Sequence, residues 1–292
     1  MIKSIIPIIV FIALPFGLFA SPQVPDYIIY KNDTIATYNL IFEQYLQKIE
    51  KSETENLFVL NFRNLISSNC WRGYQAIYKI EKDSLFLSDI INCGELANKV
   101  NKSSSLEKMR NFFGDKVKNN KVFIDWFSGD LSFPVNNKVV RWDGIFYKIF
   151  EKETVVTLLN GTILKIKNVD NYIRMPNAID RKGKDKVSEA LFKKLKNAKW
   201  KNKDDFDCSE KYFVTINEKG KVSKVRMEYE TQEEIEKYYE RQEYNFCIDT
   251  IYKALKDLQF DLILDKGNPI SEEIYIELFY DDKKGILENR TR

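Results

Sequence analysis

The stretch from Tyr212 to Tyr280 limits the possible folds of this chain more than any other segment. It opens with YFVTINEKGKVSKVRMEYE, in which apolar and polar residues alternate on both sides of a turn at Glu218-Lys219-Gly220. This pattern predicts a half-buried antiparallel hairpin. The stretch continues with FCIDTIYKALKDLQF, whose apolar residues recur at helical spacing, and it ends with the alternating segment GNPISEEIYIELFY. The order predicts a compact unit of two strands, one helix and one further strand.

A charged segment rich in structure breakers, from Pro176 to Gly183, marks the predicted start of the domain that contains this unit. The chain has 292 residues, of which 44% are hydrophobic, and this length favours two domains over one. After the breakers, Val187, Leu191 and Leu195 lie on one face of a predicted helix. Residues 176–292 are therefore the predicted second domain.

Residues 21–175 form a predicted β-rich domain. Alternating runs predict a first hairpin around Asn32-Asp33, a second in the segment from Cys70 to Ile91, and a third around Asn160-Gly161. A short amphipathic helix is expected at residues 41–49, and the polar segment from 98 to 120 is expected on the surface. Together the two domains predict an α+β fold, with few helices in the first domain.

Residues 1–20 have the features of a secretory signal peptide. They read MIKSIIPIIVFIALPFGLFA, with an early cation at Lys3, an apolar run of about fifteen residues, and a small residue at Ala20 before Ser21. We therefore expect export to the periplasm. The alternative is an uncleaved anchor in the inner membrane, although a membrane-spanning helix needs about 20 apolar residues.

Four cysteines, Cys70, Cys93, Cys208 and Cys247, are expected to form disulfides in an exported protein. Four cysteines allow three pairings. The pairing that keeps each bridge inside one predicted domain joins Cys70 to Cys93 and Cys208 to Cys247, and we adopt it as a hypothesis.

Composition excludes several function classes. The chain contains no histidine, which removes histidine-dependent nucleophile activation and makes a zinc site improbable, so we expect no metal and no cofactor. Lys+Arg number 46 and Asp+Glu 43, and the two signs are interspersed along the chain. Nucleic acid is therefore not an expected partner.

The first domain contains conspicuous Trp, Arg and Asp residues that could line an enzyme site for a glycan or another envelope polymer. They are Trp71, Arg72, Trp126, Asp130, Arg141, Trp142 and Asp143. A catalytic carboxylate pair, Asp125 with Asp130, is a weaker version of this idea, because nothing in the sequence sets their separation. The structural interpretation, which we favour, is that the tryptophans pack in the sheet and that Arg72 pairs with Asp143 across it. The string Cys70-Trp-Arg-Gly-Tyr also resembles one in exported bacterial proteins of unknown activity.

The second domain resembles the C-terminal domain of TonB energy transducers over about residues 187–280. YFVTINEKGKV is similar to the V-x-F-x-I-x-x-x-G-x-V stretch of that family. The family also has an A-x-x-x-L-x-x-x-x-F/W helix end, and ALKDLQF, which carries Ala254, Leu258 and Phe260, fits this pattern loosely. The following Gly267, Pro269 and Ile270 fit the Gly-x-Pro-Val that precedes an alternating strand ending in Phe.

The resemblance implies a (α)ββαβ domain in the periplasm that recruits the short box peptide of an outer-membrane receptor by strand addition. It assigns partner-strand binding to one segment: Ile274, Tyr275, Ile276, Glu277, Leu278 and Phe279. Because the chain has only 7 prolines and a folded domain in place of a Pro-rich arm, a docking protein without enzymatic activity is favoured over an anchored energy transducer. The expected partner is an envelope protein or a receptor peptide.

Overall fold

The structure of the chain is a computed structural model. It describes residues 24–31, 33–50, 69–70, 72–97, 100–144, 147–200, 206–229, 231–281 and 285–291. The predicted signal peptide and Trp71 lie outside these ranges. The front half is defined as the described residues up to 175, and the C-terminal half as those from 176.

The described chain is a β-rich mixture of strands and helices, as predicted. The front half contains β1 (Asp26–Tyr30), β2 (Asp33–Thr37), α1 (Ile41–Glu50), β3 (Tyr74–Glu81), β4 (Ser84–Asn92), α2 (Lys102–Phe113), β5 (Val122–Phe123), β6 (Gly129–Pro134), β7 (Val139–Trp142), β8 (Lys148–Phe150), β9 (Lys152–Leu159), β10 (Thr162–Asp170) and β11 (Tyr172–Ile173). The C-terminal half contains α3 (Lys184–Lys196), β12 (Lys211–Ile216), β13 (Val222–Arg226), α4 (Gln232–Tyr238), α5 (Arg241–Leu255), β14 (Leu262–Asp265), β15 (Asn268–Pro269), β16 (Glu272–Asp281) and β17 (Gly285–Thr291).

One large sheet organises the front half, in the order β2-β1-β3-β4-β10-β9-β6, with β5 also paired to β4. The three predicted hairpins are present as β1–β2, β3–β4 and β9–β10, all antiparallel. The pairing of β1 with β3 is parallel. A parallel pair needs a long connection, and β2 and α1 both lie between β1 and β3 in the chain.

The segment from 98 to 120 was expected on the surface with a possible helix at Leu106 to Phe113. Helix α2 is present and most of the described segment is exposed, but one face of the helix contributes to the front core. Its residues Ser105, Met109 and Phe113 are four positions apart and are buried on one face. The helix begins where the Asn101 side chain accepts a hydrogen bond from the backbone N–H of Ser104. The ring of Phe113 stacks on Trp126 at 5.5 Å, which closes one side of the core.

The C-terminal half is a two-layer unit. Its main sheet has the order β13-β12-β16-β17, and α3 and α5 cover one face. The predicted β12–β13 hairpin, α5 and β16 are all present. Gly220 in the hairpin turn has a positive φ of 70°, and a Cβ there would lie 2.3 Å from the backbone oxygen of Phe260. Only glycine fits this turn without displacing the backbone.

A second small sheet joins the two halves. Its central strand β14 pairs with β11, which precedes the predicted boundary at residue 176, and with β15. Asn171 is fully buried at this junction: its Nδ2 donates to Glu153 Oε2 at 2.7 Å, and its Oδ1 accepts from Gly267 N at 2.9 Å. The junction is therefore a packed, hydrogen-bonded interface.

Candidate functional site

The predicted partner-binding segment lies within β16, and its side chains alternate between two environments. Ile276 and Leu278 are buried against the helices, and Ile274 packs partly against the same core. Tyr275, Glu277 and Phe279 lie on the opposite face of the sheet, away from the helices, with Phe279 37% exposed. This period of two is the one that the sequence predicted.

Strands flank β16 on both sides, so the predicted partner-binding segment does not lie along an open edge of the sheet. Residues Glu272 to Glu277 pair with β12, and residues Ile276 to Asp281 pair with β17. The sequence of β17, GILENRT, lacks the apolar alternation that identifies a half-buried strand. For this reason the sequence did not predict β17. The one usable signal was the turn-like DDKKG between Tyr280 and Ile286.

Strand β17 does not cover the whole of its side of β16. Its last pair joins Thr291 to Ile276. In the described ranges no strand lies on that side of Glu272–Ile274. Leu278 donates its backbone N–H to Glu210 on the β12 side, and backbone groups alternate along a strand, so Glu272 and Ile274 also face β12. Glu273 is therefore the residue of this section that presents its N–H and C=O on the uncovered side.

The face of this sheet that turns away from the helices carries aromatic and charged side chains. Phe213 and Tyr275 pack edge to face at 5.6 Å, and the Arg226 guanidinium lies 4.0 Å from the centre of the Phe213 ring. Arg226 also donates two hydrogen bonds to the Glu273 carboxylate, at 3.0 and 2.9 Å. These contacts fix the orientation of the side chains that flank the section β17 leaves uncovered.

Both predicted disulfides are present. Cys70 is bonded to Cys93 with their Cα atoms 6.4 Å apart, and Cys208 is bonded to Cys247 with their Cα atoms 5.6 Å apart. Cys208 and Cys247 are completely buried, so the second bridge joins the approach to β12 to the middle of α5 inside the core.

The residues proposed for an enzyme site in the front half, apart from Trp71, are described by the structure and do not converge. Arg72 pairs with buried Asp26 at 2.8 Å, so its expected pairing with Asp143 was wrong. The reason is that Arg72 lies just before β3, which is next to β1, and Asp143 instead accepts a hydrogen bond from the backbone N–H of Tyr147.

The other members of that group have separate structural partners. Trp126 donates its indole N–H to the carbonyl of Ile41, whereas Trp142 is 50% exposed beside Lys148. Asp130 accepts a hydrogen bond from Thr157 at 2.6 Å. Arg141 pairs with Glu272 of the C-terminal half.

A cavity of about 460 Å³ lies where the two ends of the front sheet, β2 and β6, face each other. Among its lining residues is Glu153, a buried carboxyl whose pKa is raised by burial. Tyr147, also in the lining, donates a hydrogen bond to Asp265 at 2.6 Å. None of the proposed Trp, Arg and Asp residues that the structure describes lines this cavity. Tyr147 and Glu153 are held by structural hydrogen bonds, whereas the buried Ser132 Oγ in the same lining has no hydrogen-bond partner among the described residues.

Within the described ranges, no group of three His, Cys, Asp or Glu residues is placed to hold a metal ion. No described helix has the length and apolarity needed to cross a membrane. No protein-family model, curated protein or solved structure matches this chain.

Proposed function

We propose that this chain is an exported protein whose C-terminal half binds an extended segment of a partner by adding it as a strand to β16. The observation that supports this proposal is the incomplete pairing of β16 on the side of β17. Strand addition needs an extended main chain with donors and acceptors at its edge, and in the uncovered section Glu273 provides one of each.

Strand β17 pairs with the same side of β16 that a partner strand would use. It pairs antiparallel with Ile276–Asp281, and the register is interrupted between Phe279 and Tyr280. A partner strand can first pair beside Glu272–Ile274. It can pair with the rest of β16 only if β17 dissociates from it. The partner and β17 therefore compete for the same backbone groups.

The expected partner is the box peptide of an outer-membrane receptor or an envelope protein with a similar extended segment. This expectation rests on the TonB-like order of elements in the C-terminal half. The sheet with α3 and α5 on one face is compatible with that order.

Removal of β17 is expected to raise the affinity for such a peptide. In a chain that ends at Asp281, a labelled receptor-box peptide is expected to bind at least roughly tenfold more tightly than in the full chain, because no strand has to leave first. A synthetic peptide of residues 285–292 serves as the positive control for an accepting edge. Fluorescence anisotropy measures both affinities.

The matched negative control is the same peptide with proline at a position whose backbone N–H would donate to β16. Proline lacks the N–H that this pairing needs. The truncated chain must first show native circular dichroism and intact disulfides. If it then binds neither peptide, or binds the proline peptide equally well, strand addition to β16 is excluded.

Export makes a separate prediction. Protein recovered from the periplasmic fraction is expected to begin at Ser21 and to contain no free thiol, because all four cysteines are paired. Intact-mass measurement before and after alkylation tests both points. A mass that includes residues 1–20 would instead support the anchored alternative.

A further inference from the structure

One end of the front sheet brings several hairpin tips together. The backbone N–H of Ile163 donates to Asp83 at 2.8 Å, and that of Leu85 donates to Gly161 at 2.8 Å, so the β3–β4 and β9–β10 turns are in contact. An open cavity of about 420 Å³ adds the β1–β2 turn to this group. Its lining residues are Ile29, Tyr30, Lys31, Lys79, Ile80, Lys82, Ile163 and Ile166.

Large apolar side chains are exposed near this end on both faces of the β9–β10 hairpin. Ile166 lies on the face of the core residues Val156 and Leu158, and Leu159 lies on the other. Leu159, Leu164 and Ile166 are 50%, 63% and 49% exposed, and neighbouring Phe123 is 40% exposed. Strand β10 pairs with β4 only at Thr162, and its register shifts between Ile163 and Lys165. Because β10 leaves β4 so early, Ile166 is exposed although it lies opposite the core residue Val156. A group of exposed apolar side chains of this kind marks an interaction surface.

Lysines surround these apolar side chains. Lys31, Lys82 and Lys165 are exposed and form no ion pair among the described residues. Lys121 and Lys79 both pair with Glu81, and their hydrogen bonds and charges lower the pKa of that carboxyl to about 2. Asp33 and Asp83 are the exposed carboxylates in the same turns, and the lysines outnumber the acidic groups.

Two of the lysines occupy backbone positions that do not suit lysine. Lys31 and Lys82 have positive φ values of 50° and 55°. Glycine and asparagine adopt this left-handed conformation at lower cost. The backbone of these turns therefore does not require lysine, although Lys266 in the β14–β15 turn adopts the same conformation.

We propose that this hairpin-tip surface (Lys31, Lys82, Leu159, Leu164, Lys165 and Ile166) binds the surface of an anionic lipid bilayer. Aliphatic side chains that project among lysines match a bilayer interface, where the former enter the acyl boundary and the latter meet anionic headgroups. The surface lies in the front half, so this interaction is independent of strand addition to β16.

Vesicle binding by the full chain tests the proposal. The chain is expected to sediment with vesicles of phosphatidylcholine and phosphatidylglycerol, and much less with phosphatidylcholine alone or at high salt. Lys31→Asn and Lys82→Asn remove charge at positions where asparagine is favoured, so thermal stability is expected to be kept. Each substitution is expected to weaken binding roughly fivefold, and both together about thirtyfold.

The matched control is Lys193→Gln with Lys194→Gln, which removes the same charge from the exposed face of α3 and keeps a good helix former. Leu164→Ser tests the apolar contribution and is expected to weaken binding without changing its salt dependence. Amide hydrogen exchange with anionic vesicles is expected to show protection at residues 159–166.

Three outcomes would overturn the proposal. They are wild-type affinity in the Lys31→Asn, Lys82→Asn double variant, an equal loss of binding in the α3 control, and no protection at residues 159–166. Equally tight binding of dodecyl phosphate below its micelle concentration would also contradict it, because the surface would then be a site for single amphiphiles.

Discussion

Glu272→Gln is expected to destabilise the protein by about 3–5 kcal/mol, because it removes the carboxylate that balances a buried guanidinium. Arg181 is 1% exposed and pairs with Glu272 Oε2 at 2.7 Å. The same carboxylate also binds Arg141 of β7, so it links the front half to β16 and to the approach to α3. In the variant, Arg181 remains buried without a negative partner. Urea unfolding followed by circular dichroism measures the loss.

The neighbouring residue provides the control. Glu273 pairs with Arg226 in a similar two-bonded arrangement, but the Glu273 side chain is 42% exposed. Glu273→Gln is therefore expected to cost no more than about 1 kcal/mol. Combining Glu272→Gln with Arg181→Met is expected to recover part of the lost stability, because the second substitution removes the buried positive charge. Equal losses at the two glutamates would show that burial of Arg181 does not set the cost.

The same carboxylate gives the stability a pH dependence. Burial alone would raise the pKa of Glu272, but the hydrogen bonds and charges of Arg141 and Arg181 outweigh it and lower the pKa below 4.5. A group with a lowered folded-state pKa stabilises the fold above its unfolded-state pKa and loses that contribution as the pH falls through the folded-state value. The difference in unfolding free energy between the wild type and Glu272→Gln is therefore expected to become smaller below about pH 4.5.

The hairpins and the principal helices were predictable from the sequence because their signals are local. The turn at Asn160-Gly161 and the alternation around Gly220 each lie within a few residues of the strands they join. The disulfide pairing was predictable for a related reason, since Cys70 and Cys93 flank one hairpin. Alternation also predicted the strand that contains Ile274–Phe279.

Arrangements that depend on distant residues were not predictable. The parallel pairing of β1 with β3 and the junction cluster of Arg141, Arg181 and Glu272 join parts of the chain that share no local pattern. The same limit explains why Arg72 was paired with the wrong aspartate. For the candidate site the decisive omission was β17, because a polar terminal strand is recognised only once its neighbour is known.

Loss of the Cys208–Cys247 bridge is the second large expected effect. The bridge closes a loop with a sequence separation of 39, and its removal by a double Cys→Ala substitution is expected to cost about 4 kcal/mol through the entropy of the unfolded chain. Both sulfurs are buried between the approach to β12 and α5. Alanine avoids placing a new polar group in that core. The midpoint of urea unfolding gives the change.

Comparison with the front-half bridge separates the loss of a cross-link from the loss of local packing. A double Cys→Ala change at Cys70 and Cys93 opens a loop with a sequence separation of 23 and is expected to cost about 3.5 kcal/mol. Amide hydrogen exchange is expected to increase in the front sheet when the Cys70–Cys93 bridge is removed. It is expected to increase in β12 and α5 when the Cys208–Cys247 bridge is removed. Because β12 is the strand that holds β16 from the other side, the Cys208–Cys247 variant is also expected to weaken strand addition at β16. An unfolding midpoint unchanged from wild type would show that packing alone holds α5 on the sheet.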